Sequence, residues 1–317
     1  MGNSRWNNDD WDSYASSTRG KSTSQIFNAS SIKKELDPLH IKVRESRDSV
    51  ANPDSTPIIL ALDVTGSMGM IADTLAREGL GTLVESILER KPVPDPHIMV
   101  MGVGDAFYDS APLQASQFEA DIKIAQQLKD IFLEHGGGGN HHESYTLPWY
   151  FAAEKTDIDC VKHGRKGLLF TFGDEQCPPD LRADQIKRII GDKIQGDIST
   201  KDLLEQVSAK YDVFHVVIEQ GDYATKHKQA VYDSWNKVLP PERIISVKDY
   251  KQLPAILVSV MEVHAGKDKD EVANSWQGKT VGVVKDAIKN VKPDGKMPGV
   301  KVFAPIKLKT PAPPKAA

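Results

Sequence analysis

Short apolar runs alternate with amphipathic stretches through the middle of the chain. PIILALD (57–63) is apolar up to its last residue and bounded by Pro57 and a polar turn, the pattern of a buried strand. Behind it Ile71, Leu75, Leu80, Leu83 and Ile87 recur at helical spacing and predict a long amphipathic helix over about 69–90. HIMVMGVGD (97–105) predicts the next strand, with SQFEADI as a short antiparallel neighbour. Helices follow over about 122–135 and 143–155, and RKGLLFTFGD (165–174) is another buried strand that ends in an acid. A helix opened by the capping box STKD (199–202) leads to a strand over about 213–219. HKQAVYDSWNKVL then reads as helix, RIISV as the last strand and DYKQLPAILVSVMEVHAG as the closing helix.

Strands alternating with helices require crossover connections, hence an α/β fold: a doubly wound, mostly parallel central sheet with helices on both faces, Rossmann-like, over residues 55–266. Residues 1–54 are rich in Ser, Asn, Asp and Lys without a sustained period and are expected to be disordered or loosely docked. The aromatic and acidic stretch WNNDDWDSYA within them is suited to docking on a partner or back on the domain. Residues 267–317 read as a basic Pro/Lys-rich tail, with room for one short helix around SWQGKTVGVVKDAIKNV.

Composition narrows the setting. With 39% hydrophobic and 26% charged residues the chain is that of an ordinary soluble domain, and a net charge of −4 gives no reason to expect nucleic acid as a partner. Two cysteines, Cys160 and Cys177, make no disulfide framework and suit a reducing compartment. No secretory signal and no membrane-length apolar run is present, and Trp6 stands where a myristoylation signal wants Ser or Thr. The expected location is the cytoplasm.

The chemistry gathers at strand ends. LALDVTGSMGM (60–70) places Asp63, Thr65 and Ser67 at alternate positions directly after a strand, so their oxygens converge as the chain turns at Gly66. Asp174 ends a second strand, and parallel strands present their carboxyl ends along one edge. Carboxylate and hydroxyl oxygens are hard ligands, suited to Mg²⁺, with Mn²⁺ or Ca²⁺ as alternatives. The bland reading of Thr65 or Ser67 is a helix N-cap. His141 and His142 in the loop GGGGNHHES read as solvent-facing, and Asp105 and Asp109 as loop acids near the same edge.

IILALDVTGSMG resembles the first motif of von Willebrand factor type A (VWA) domains, whose metal-ion-dependent adhesion site (MIDAS) has the form D-x-[ST]-x-S, and GLLFTFGDE resembles their later aspartate-bearing strand. The resemblance, to the intracellular bacterial or phage type, covers about residues 57–265. It implies Asp63, Thr65 and Ser67 as the first loop of the site and Asp174 as the last. Where family members commonly place a threonine, this chain has GGGGNHHESYT, with Asn140 preferred and Glu143 and Ser144 as rivals. The resemblance also implies a non-enzymatic protein-interaction adaptor whose cation engages an acidic group of a partner, in an assembly of the kind linked to AAA+ ATPases. The alternative is a metal-dependent hydrolase or phosphoryl-handling enzyme with His141 or His142 as base.

Overall fold

The computed structural model describes residues 4–134 and 139–293; the side chain of Ser67 lies outside what is described. Among the described residues ten strands follow in chain order: β1 (Arg44–Ser46), β2 (Thr56–Asp63), β3 (Pro96–Val103), β4 (Leu113–Ala115), β5 (Thr156–Ile158), β6 (Gly167–Gly173), β7 (Asp180–Leu181), β8 (Ile198–Ser199), β9 (Tyr211–Ile218) and β10 (Ile244–Val247). Six of them form one sheet in the order β10-β9-β6-β2-β3-β4, parallel except for β4. The antiparallel edge is LQA (113–115), upstream of the expected SQFEADI, of which Glu119 makes an isolated bridge to Ile98.

Both faces of the sheet are covered, because alternate residues of each strand enter different apolar layers. Ile58, Leu60 and Leu62 of β2 pack with the helices at 69–90 and 253–264, whereas Ile59 and Ala61 pack with those at 146–154 and 200–207. The helix expected over 69–90 is one rod built from Gly69–Thr74, a π turn Leu75–Gly79 and Leu80–Arg90. Ser199 caps the helix Thr200–Val207 by accepting from the Asp202 N–H at 3.2 Å, which bears out the capping reading of STKD. The helix Ala183–Ile189 and the small pairs β1-β5 and β7-β8 carry no clear period in the sequence.

Ordered elements also pack beyond residues 55–266. Rather than being disordered, residues 8–46 form the helices Asn8–Thr18 and Thr23–Ile26, a turn at Pro38–His40 and β1. Sparse aromatics anchor them: Trp11 stacks near Tyr14 with centroids 5.2 Å apart and packs flat on Gly81, where any side chain would overlap its ring. The aromatic stretch therefore docks back on its own domain. At the other end Val272, Ala273, Val284, Ala287, Ile288 and Val291 join the same apolar layer through the helices Lys269–Asn274 and Lys279–Ile288. The tail lysines Lys296, Lys301, Lys307, Lys309 and Lys315 lie outside the described residues. No helix among the described residues is long and apolar enough to cross a membrane.

Candidate functional site

β2 is the first strand of the sheet in sequence and lies between β3, which follows it, and β6. The direction of chain progression reverses there, and the crevice beyond the carboxyl ends of such strands is where α/β sheets take ligands. Asp63 ends β2, and Asp174 follows the last residue of the neighbouring β6, so the two acids lie at one edge.

Asp63 is 1% exposed. Its Oδ1 accepts from the Thr65 N–H at 3.0 Å and from the Thr65 hydroxyl at 2.6 Å, and its Oδ2 accepts from the Tyr145 hydroxyl at 3.0 Å. Burial pushes its carboxyl up to about 7, and the nearby Asp174 adds to the rise. Asp174 accepts from the backbone N–H of Tyr223 at 2.8 Å and of Ala224 at 3.4 Å, at the start of the helix Asp222–Trp235, where the helix dipole favours an anion. Burial still holds Asp174 above the ordinary carboxylate value.

Two glycines make these approaches possible. A side chain at Gly173 would overlap the Tyr145 phenol, and one at Gly221 would overlap the Asp174 carboxylate. Ser67 lies on the turn Gly66–Met68, with its side chain outside the described residues.

A cavity of about 350 Å³ opens at this edge, lined by Thr65, Glu143, Asp174, Glu175, Asp222 and Tyr223, with His141, Lys226 and His227 also on its wall. The loop expected to complete the site divides its residues. Asn140 is not on the cavity wall, and its Nδ2 is buried without a partner. The Ser144 hydroxyl accepts from the Ala106 N–H at 2.8 Å and so faces the β3–β4 connection. Glu143 is on the wall, 3% exposed, with Oε2 unpartnered. Burial pushes Glu143 up to about 10, followed by the charge of Asp63, and Glu175 up to about 8 for the same two reasons.

His141 is exposed at the wall, its backbone in the left-handed region at φ 66°, and its ring lies 5.5 Å from that of Tyr223. His142 faces a different cavity, with Phe107, Pro178 and Arg182, and burial lowers its pKa. Asp105, read as a loop acid, is fully buried with Oδ2 unpartnered and adds negative charge beside Glu143. Cys160 is buried and Cys177 half-buried, both free thiols raised by burial.

Tyr145, Glu175 and the burial of Asp105 are the features that sequence reasoning misses; Gly173, placed directly before the acid in TFGDE, is the signal that something packs against that strand end.

The donor set is oxygen only, and no lysine or arginine among the described residues forms an ion pair with Asp63, Asp174, Glu143 or Glu175. No three His, Cys, Asp or Glu side chains among the described residues converge as a metal-holding group, and Asp63 has both oxygens hydrogen-bonded, to Thr65 and to Tyr145. The chemistry of the set nevertheless fits a hard divalent cation: an unpartnered carboxyl oxygen, acids without a cationic partner among the described residues and a hydroxyl lie at one edge.

No protein-family model matches the chain, and no curated protein matches it. Among solved structures it is similar to two of the pilus adhesin SpaC from Lactobacillus rhamnosus GG, one of them in an open conformation. Both share 12% identity with it at TM-score 0.46, over 73% and 69% of this chain and 31% and 32% of theirs. A von Willebrand factor type A protein from Catenulispora acidiphila is similar over 68% of this chain and 44% of its own, at TM-score 0.38 and 11% identity. The chain thus spans less than half the length of each of these proteins. The α/β fold stated above stands on strand order and register.

Proposed function

We propose that this chain is a protein-interaction module of the VWA kind that holds a divalent cation at the carboxyl edge of its sheet and engages an acidic group of a partner protein. Unpaired acids carry this reading: Glu143, Asp174 and Glu175 line one opening with Asp63 buried close by, and among the described residues none of the four forms an ion pair with a lysine or arginine. Leaving like charges together in a desolvated place is costly unless a counter-ion comes to them.

Asp63, Thr65, Ser67 and Asp174 would hold Mg²⁺, or Mn²⁺ or Ca²⁺ in its place, with the loop at 139–144 adding a ligand such as Asn140. A bound cation supplies a positive centre that attracts and fixes an incoming carboxylate. The residues of the chain prepare that step. Thr65 and Tyr145 hold the Asp63 carboxylate in one orientation, and the helix start at Tyr223 and Ala224 does the same for Asp174. Exposed Lys226 on the cavity wall steers an acidic group inward. A cytoplasmic adaptor in an AAA+ ATPase-linked assembly is the setting that the VWA resemblance suggests.

The test is affinity capture with wild type in Mg²⁺, wild type in EDTA and Asp63→Ala in Mg²⁺. The reading expects a protein retained only by wild type in Mg²⁺; identical captures in all three arms contradict it. Phosphoester turnover with Mg²⁺ that disappears in His141→Ala would favour a hydrolase, because His141 lies on the cavity wall.

A further inference from the structure

The third element of the site is where this chain departs from the VWA pattern, and there the geometry decides among rivals that the sequence leaves open. Ser144 has its hydroxyl occupied by the Ala106 N–H, and Asn140 is off the cavity wall. Glu143 alone of the three lines the cavity, is 3% exposed, and keeps Oε2 without any hydrogen-bond partner. An unpartnered carboxylate oxygen in so buried a place is destabilising unless something binds it. We propose that Glu143 is a direct ligand of the cation, a built-in carboxylate in the place where the VWA pattern has a neutral threonine.

The proposal rests on the reading of the site as a cation site and goes beyond it in one respect. Glu143 puts a charged ligand where the pattern has a neutral one, and affinity for hard cations rises with ligand charge. The free protein therefore holds its cation without help from a partner. The incoming acidic group meets a centre whose charge is already largely met, so partner binding depends on the mouth of the cavity, Lys226 included, more than on the cation alone.

Mn²⁺ is the probe, titrated calorimetrically into the metal-stripped full chain, with wild type, Glu143→Gln, Asn140→Ala and Asp63→Asn compared. Wild type is expected to bind one Mn²⁺ without partner, Glu143→Gln to bind at least about tenfold more weakly, and Asn140→Ala to match wild type. Thermal melting without metal separates ligation from a fold defect: Glu143→Gln replaces a buried side chain whose Oε2 has no partner by an amide of the same shape, so that variant melts close to wild type. Equal Mn²⁺ affinity in wild type and Glu143→Gln overturns the role of Glu143 while the cation site stands, provided Asp63→Asn has lost binding. Absence of Mn²⁺ binding in wild type overturns both. A Glu143→Gln protein that melts well below wild type without metal also overturns the role, since Glu143 would then support the fold.

Discussion

Two buried aspartates, at opposite ends of the same sheet, are treated in opposite ways. Asp212, near the start of β9, is enclosed by Arg243 at 3.2 Å, His264 at 3.0 Å and Lys166 at 3.9 Å. Burial alone would raise its pKa, but the His264 bond and the Arg243 charge outweigh it and hold the carboxyl below the ordinary value. Asp63, at the end of β2, has hydroxyl and backbone donors but only other acids for charged company, and its carboxyl rises to about 7. The chain is thus able to pair a buried acid thoroughly where the acid has only a structural task. The lack of a cationic partner for Asp63 among the described residues is what the proposed cation site would require.

The largest expected effect tests the paired end. Arg243→Met leaves Asp212 buried with its closest permanent cation gone, and should lower the unfolding free energy by about 3–5 kcal/mol in urea titrations, as removal of one partner of a buried ion pair does. A loss below about 1 kcal/mol would erase the contrast between the two ends.

Dependence on pH sharpens the contrast next, because the signs differ. Asp63 is raised in the folded state, so in EDTA its contribution is complete below about pH 4 and is lost as the pH climbs toward about 7. Asp212 is depressed, so its contribution is complete above about pH 4 and is lost as the pH falls below that. Urea midpoints measured across this range in EDTA should show both slopes, and Asp63→Asn should reduce the upper one, to which Asp174, Glu143 and Glu175 also contribute, by an amount on the order of a few kcal/mol while leaving the lower one unchanged.

Tyr145→Phe comes third. It leaves Asp63 Oδ2 buried and unpartnered, and should destabilise the metal-free protein by about 1–3 kcal/mol, read from the same titrations. Lys166→Met should have the smallest effect, under about 1 kcal/mol, because Lys166 is the most distant of the three partners of Asp212 and is itself partly exposed.

Much of the frame was legible because alternating apolar runs determine buried parallel strands and their helices, and strands of this type end in acids at one edge. That Asp63 and Asp174 lie at one edge follows from β2 and β6 being neighbours, a condition that the sequence leaves open and the strand pairing meets. Tyr145 was not legible: it lies 82 residues from Asp63 in a run, SYTLPWYF, that reads as plain helix core. The choice among Asn140, Glu143 and Ser144 depends on how one loop rotates, and adjacent polar residues carry no period from which to read it. The N-terminal segment was hidden by composition. Its few aromatics work because Gly81 leaves a flat place on a helix for Trp11, a long-range complementarity that no local window contains.

The most direct test of the central claim is urea unfolding of the full chain with and without saturating Mg²⁺. A ligand that binds only the folded state adds about 2.7 kcal/mol at one hundred times its Kd. The account predicts a gain of this order in wild type, and its absence in Asp63→Ala. An unfolding curve that Mg²⁺, Mn²⁺ and Ca²⁺ all leave unchanged would contradict it.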